Sequence, residues 1–171
     1  MDAQQLKAIQ APIKERFRLT PAAAQCTFVS QAEVQAGSLS ANLSTQGRRI
    51  VAGLHPLAGG DGSQACAADM LVESVAACAG VTLAAVATAL GVAYKRARIE
   101  VSGSLDFRGT MGVDRSLPVG FSVIDLHFIF DSDAETERLD KLLELTERYC
   151  VVLQSLNPNL GVNCRWSLEA T

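Results

Sequence analysis

Between Glu73 and Lys95 the chain carries no charged side chain. The run SVAACAGVTLAAVATALG, residues 74–91, is built from small apolar residues around one cysteine, Cys78. A segment this long and this free of charge has few possible homes. It is a buried central helix or a membrane span, because a helix that is apolar on all sides has to be covered on all sides. Alanine gives a weak insertion signal beside Leu, Ile or Phe, which argues against the bilayer. Thr82 and Thr88 lie inside the run, and Asp69 and Glu73 stand just before it. The expectation is a soluble protein with a core helix over about 68–90, closed by Gly91 as a C-cap.

The flanking sequence supplies the layers that such a helix needs. Leu6, Ile9, Ile13 and Phe17 recur at helical spacing over residues 3–19, with Pro12 as a kink or break. From Gln25 to about Ile50 the pattern is extended, with turns at Gly37 and Gly47. AGLHPLAGGDGSQACAADM is a glycine-rich loop leading into the apolar run. ARIEVSGSLDF alternates with Ile99, Val101, Leu105 and Phe107 on one face. FSVIDLHFIF does the same with Ile124, Leu126, Phe128 and Phe130. Ser132 and Glu135 match a capping box, which predicts a helix running to about Leu156. Its apolar stripe is Leu139, Leu143, Thr146, Cys150 and Leu153. A last strand carries Val162, Cys164, Trp166 and Leu168. Strands arrive in pairs rather than one per helix, so the fold class is α+β with antiparallel sheets.

Composition removes several kinds of function. The 171 residues carry a net charge of −3, and no basic stripe suggests nucleic-acid binding. The N-terminal stretch MDAQQLKAIQAPIKERF is mixed in charge and has no secretory pattern. No phosphate-binding loop, dinucleotide fingerprint, serine-hydrolase elbow or zinc-binding spacing is present. Both histidines, His55 and His127, are isolated. Five cysteines (Cys26, Cys66, Cys78, Cys150 and Cys164) form no C-x-x-C pair, which fits free thiols in a reducing cytoplasm.

Cys78 and Cys150 each fall within one of the two long predicted helices. Buried cysteine often serves as a small apolar filler. The alternative is a redox pair, in which a peroxide oxidises one thiol to a sulfenic acid and the other condenses with it. That chemistry needs a thiolate. Cys78 lies too deep in its helix for the dipole to supply one, so another group must.

The stretch GGDGSQACAADMLVESVAACAGVTLAAVATALG closely resembles the central helix of the OsmC/Ohr family, the osmotically inducible and organic-hydroperoxide-resistance proteins. LTERYCVVLQSL resembles that family's second cysteine helix. The resemblance covers roughly residues 36–169, leaving residues 1–24 as an N-terminal helical extension to an OsmC-like domain over 25–171. It implies an intertwined homodimer, with antiparallel sheets wrapped around two long central helices. It also implies that Cys78 is peroxidatic and that Cys150 resolves it. The substrate would be an organic hydroperoxide, and the reductant a dithiol, with dihydrolipoyl groups the best-known donors. An OsmC scaffold that holds an apolar ligand without peroxidase turnover is the alternative. Where the family often has Pro-Glu-Glu, this chain has Ala67-Ala68-Asp69, so Asp69 fits one acidic position. The activating arginine of the family has no clear counterpart; Arg48 and Arg49 lie on the side from which it would come. The family's usual Cys-Pro is Cys150-Val151 here.

Overall fold

The computed structural model describes residues 1–45 and 47–169, apart from the side chains of Thr45 and Arg48. In chain order the elements are α1 (Ala3–Leu19), β1 (Gln31–Val34), β2 (Ser40–Thr45), β3 (Arg48–Gly53), β4 (Ala65–Cys66) and α2 (Ala67–Leu90). They continue with β5 (Arg96–Ser104), α3 (Phe107–Thr110), β6 (Val123–Asp131), α4 (Thr136–Tyr149), α5 (Val151–Gln154) and β7 (Gly161–Leu168). Two compact units share this chain. One holds Met1–Gln25, Ser74–Gly103 and the stretch from Val123 onward; the other holds Cys26–Glu73 and Ser104–Ser122.

Both ends of α2 are fixed by named groups. At the start, Cys66 Sγ accepts the Ala68 N–H at 3.2 Å, and the Asp69 carboxylate accepts the Cys66 N–H at 3.3 Å. This is a reciprocal capping box with sulfur in place of a hydroxyl. At the far end, Gly91 takes φ 65°. The Val92 N–H then reaches the Ala87 carbonyl at 3.0 Å and the Gly91 N–H reaches that of Thr88 at 3.3 Å. These bonds make a Schellman ending, as the sequence predicts. The Arg138 guanidinium donates to the Leu90 and Gly91 carbonyls at 3.0 and 2.9 Å, where a cation also favours the helix dipole.

The first unit builds its core from three periodicities. Strand β6 buries every second residue, Ile124, Leu126, Phe128 and Phe130. Helix α2 buries every fourth, Val75, Ala79, Leu83 and Ala87, and its Gly80 lies beside Ile99 of β5. Helix α4 adds Leu139, Leu142 and Thr146, so Leu142 takes the buried place expected of Leu143. Phe130 meets Tyr94 and Trp166 edge-on at 6.3 and 6.5 Å. The opposite faces of β6 and β7 are polar: Asn163 donates to Asp125 at 2.8 Å, and His127 Nε2 lies 2.8 Å from the Ser167 hydroxyl.

In the second unit, β1, β2 and β3 form the expected antiparallel meander, and the two-residue β4 joins β3 in parallel. His55 accepts the Leu57 N–H and stacks on Phe107 at 4.7 Å.

Four expectations change. The sheet β5-β6-β7 is not wholly antiparallel, because β7 runs parallel to β6 from Val123↔Gly161 to Phe130↔Leu168. The cause is the helical connection between them, which returns the chain to the end from which it left. Ser132 does not cap α4; its hydroxyl donates to the Ala93 carbonyl at 2.7 Å, and the helix starts at Thr136. Pro12 does not break α1, which continues to Leu19, with Asp2 and Gln5 forming a capping box at its start. Helix α4 stops at Tyr149 rather than near Leu156, which places Cys150 at a break between α4 and α5 instead of within a long helix.

Candidate functional site

The break at Cys150 follows from local chemistry. The Thr146 hydroxyl donates to the Leu142 carbonyl at 2.7 Å, and the Cys150 N–H closes on Thr146 at 3.0 Å. Val151 and Val152 follow, a β-branched pair with lower helix propensity. Cys150 turns extended, at φ −72° and ψ 101°, and α5 begins afresh. Gln154 ties the two pieces together: its N–H reaches the Cys150 carbonyl and its side-chain amide the Glu147 carbonyl, both at 3.0 Å. A new helix start leaves its first N–H groups free of helical partners. Here the free groups are those of Val151 and Val152.

Those amides are used by Cys78. The Cys78 thiol is half-buried on α2, and Cys150 is fully buried. Burial pushes the Cys78 pKa up. Hydrogen bonds from the Val152 amide, the Cys150 thiol, the Thr82 hydroxyl and the Val151 amide outweigh it and leave the pKa below the ordinary thiol value. Cys150 moves the other way. Burial raises its pKa, the Leu153 amide pulls it down, and the proton it shares with Cys78 is held more tightly because of the charge there. Cys78 is therefore the thiol that ionises first, and the remaining proton stays on Cys150. Among the described residues, the groups that lower the Cys78 pKa are dipoles: two amides, a hydroxyl and a thiol.

Thr82 was missed in the sequence, although it stands four residues after Cys78 and therefore on the same helix face. The two amides have no side-chain signature and only the break reveals them. Asp69 is at the start of α2, occupied in capping Cys66. Cys66 is likewise a capping group and not a bare loop thiol. Arg49 is exposed on β3, and the side chain of Arg48 lies outside the described residues. Among the described residues, no cluster of His, Cys, Asp and Glu is placed to hold a metal ion.

The lowered pKa gives a pH profile. Cys78 ionises below the ordinary thiol value, so its alkylation by iodoacetamide rises with pH to a midpoint below that of an exposed cysteine. Thr82→Val keeps the side-chain shape and removes one donor. Its midpoint is expected to move up, with alkylation at neutral pH slowed about two- to tenfold. Mass-spectrometric rates for the Cys78 peptide across pH check this; an unchanged midpoint removes Thr82 from the site.

The family model described as OsmC-like protein matches residues 60–165. No curated protein matches the chain significantly. Among solved structures, an OsmC-like protein from Mycoplasma pneumoniae is similar, at 18% identity and a TM-score of 0.70, over 84% of this chain and 98% of that one. An organic hydroperoxide resistance protein OsmC from Legionella pneumophila matches at 16% identity and a TM-score of 0.65, over 86% of this chain and 99% of that one. The organic hydroperoxide resistance protein OhrB of Bacillus subtilis matches at 19% identity and a TM-score of 0.58, over 84% and 98%.

Proposed function

The chain belongs to the OsmC family, and on that premise we propose that it is a thiol-dependent reductase of organic hydroperoxides, acting in oxidative-stress defence in the cytoplasm. The observation that carries this reading is the Cys78–Cys150 pair, in which one sulfur collects two amides, a hydroxyl and a thiol as hydrogen-bond partners. Cys78 is the peroxidatic residue. Its thiolate attacks the outer oxygen of the hydroperoxide, the O–O bond breaks, and the alkoxide leaves with the proton of the Cys150 thiol. Cys150, now a thiolate, attacks the sulfur of the Cys78 sulfenic acid; a disulfide forms and hydroxide leaves as water after protonation. A dithiol of the dihydrolipoyl type returns both thiols.

The Legionella and Bacillus proteins, named for organic hydroperoxide resistance, support the choice of substrate class. So does the setting of Cys78 among Ala, Val and Leu side chains, which favours a greasy substrate.

The active form is a homodimer. Helix α2 supports this, because only 22% of its most apolar window is buried within one chain. Ala77, Val81 (74% exposed), Ala84 and Ala85 make an apolar stripe open to solvent. A stripe like this is normally covered, and a second copy of the helix covers it without any membrane.

The test is hydroperoxide consumption by the purified protein with dihydrolipoamide as donor. Cumene hydroperoxide is expected to be consumed catalytically and faster than hydrogen peroxide. No turnover with any dithiol donor refutes the reading.

A further inference from the structure

Helix α1 lies ahead of residue 60, where the family match begins, and the redox pair makes no use of it. It contains no buried residue. Within it Lys7, Lys14, Arg16 and Arg18 stand against one acid, Glu15. Arg16 turns to the Ala23 carbonyl at 3.4 Å, and Arg18 Nη1 pairs with Glu15 at 2.9 Å. Among the described residues, no carboxylate pairs with Lys7 or Lys14. A groove of about 660 Å³ lies between α1 and the last turn of α2, where Ala89 forms its wall. From α1 it takes Ala3, Leu6 and Ala11 as apolar lining and Lys7, Lys14 and Arg18 as cations. Among the described residues, no acid lines it.

We propose that this groove binds the anion of a long-chain fatty acid, with the carboxylate held by Lys14 and Arg18. The two cations are one turn apart on one helix face, a spacing of about 5–6 Å between Cβ atoms that lets both reach a single carboxylate. Arg18 gives Nη1 to Glu15 and keeps its other guanidinium donors for the ligand. From Arg18 back to Ala3 the helix is about 22 Å long, so the groove takes a long tail rather than a short one. The tail runs over Ala11, Leu6 and Ala3 and against Ala89. The stem of Lys7 covers it while the ammonium stays in water.

Charge complementarity selects the head group, and the apolar lining selects the tail. A small inorganic anion would leave Ala3, Leu6, Ala11 and Ala89 uncovered. An uncharged lipid would leave the Lys14 ammonium without a partner. A membrane surface offers both chemistries, but one wall of the groove belongs to α2, which suits a single methylene chain enclosed from two sides. Ala89 lies three turns beyond Cys78 along α2, about 16 Å, so the site is distinct from the redox pair. It stands or falls independently of the peroxidatic reading.

Displacement of dansylundecanoate, a fluorescent fatty acid, from the whole reduced chain tests this. Oleate and methyl oleate are the competitors, kept below the concentrations at which they aggregate. Oleate is expected to displace the probe at least tenfold more tightly than methyl oleate, because only oleate makes charge-assisted bonds to the cations. Lys14→Gln combined with Arg18→Gln should weaken oleate tenfold or more with an unchanged circular dichroism spectrum. The comparison of the two ligands on the unaltered chain carries the test even where that variant misfolds. Equal displacement by the two ligands overturns the proposal, as does oleate binding that the double variant leaves intact. Flotation with phosphatidylglycerol vesicles, without binding of monomeric oleate, makes α1 a membrane-surface helix and overturns it. So does a change of oligomeric state in the double variant, measured by light scattering, when the unaltered chain binds no probe; the groove is then an interface between copies. No hydroperoxide turnover enters these measurements, so their failure leaves the peroxidatic reading untouched.

Discussion

Cys78→Ser is expected to lower the rate of hydroperoxide consumption by about a thousandfold or more, because the hydroxyl replacing the thiolate is not a nucleophile near neutral pH. Cys150→Ser should behave differently. Its Cys78 keeps the Val151 and Val152 amides and the Thr82 hydroxyl, so the first oxidation proceeds. What is lost is the thiol that condenses with the sulfenic acid. Turnover stops after about one equivalent, and dimedone should trap Cys78 as the sulfenic acid. Stopped-flow consumption of cumene hydroperoxide, followed by mass spectrometry of the dimedone adduct, separates the two variants. Equal multiple-turnover rates for wild type and Cys150→Ser would remove Cys150 from the mechanism.

The second large effect concerns the fold. Phe130 is fully buried at the end of β6, between Tyr94 and Trp166. Truncation to Ala leaves a cavity that three packed elements cannot readily close, and such changes cost about 3–5 kcal/mol. For a chain of this length that corresponds to a fall in Tm of roughly 6–20 °C. Thermal unfolding followed by circular dichroism gives the number. A fall of only a few degrees would mean that the aromatic cluster repacks.

How much of this was legible in the sequence depends on which physical signal each feature left. The bounds of α2 were readable because a glycine-rich loop leads into it at one end and Gly91 closes the other. The core face of β6 was readable because Ile124, Leu126, Phe128 and Phe130 alternate without a slip. The parallel pairing of β6 and β7 left a signal that paired strands elsewhere obscured: a strand, a helix and a strand in succession. The cap at Ser132 failed because the hydroxyl found the Ala93 carbonyl, a partner 39 residues away. The break at Cys150 was the costliest omission. Apolar spacing continues through it as Thr146, Cys150 and Leu153, so periodicity alone reads an unbroken helix. Its sign was the valine pair after the cysteine, and its consequence, two free amides, is a property of the backbone. The stabilisation of Cys78 was therefore hidden from any search for a charged side chain.

The two thiols reach each other from segments about 70 residues apart in the chain. A bond between them closes a long loop, and closing a loop of that size removes about 4 kcal/mol of conformational freedom from the unfolded chain in the entropic account. Oxidation at Cys78 would then do more than store an equivalent of peroxide. It would make the protein hardest to unfold while it awaits its reductant, and the reduced state would be the looser of the two.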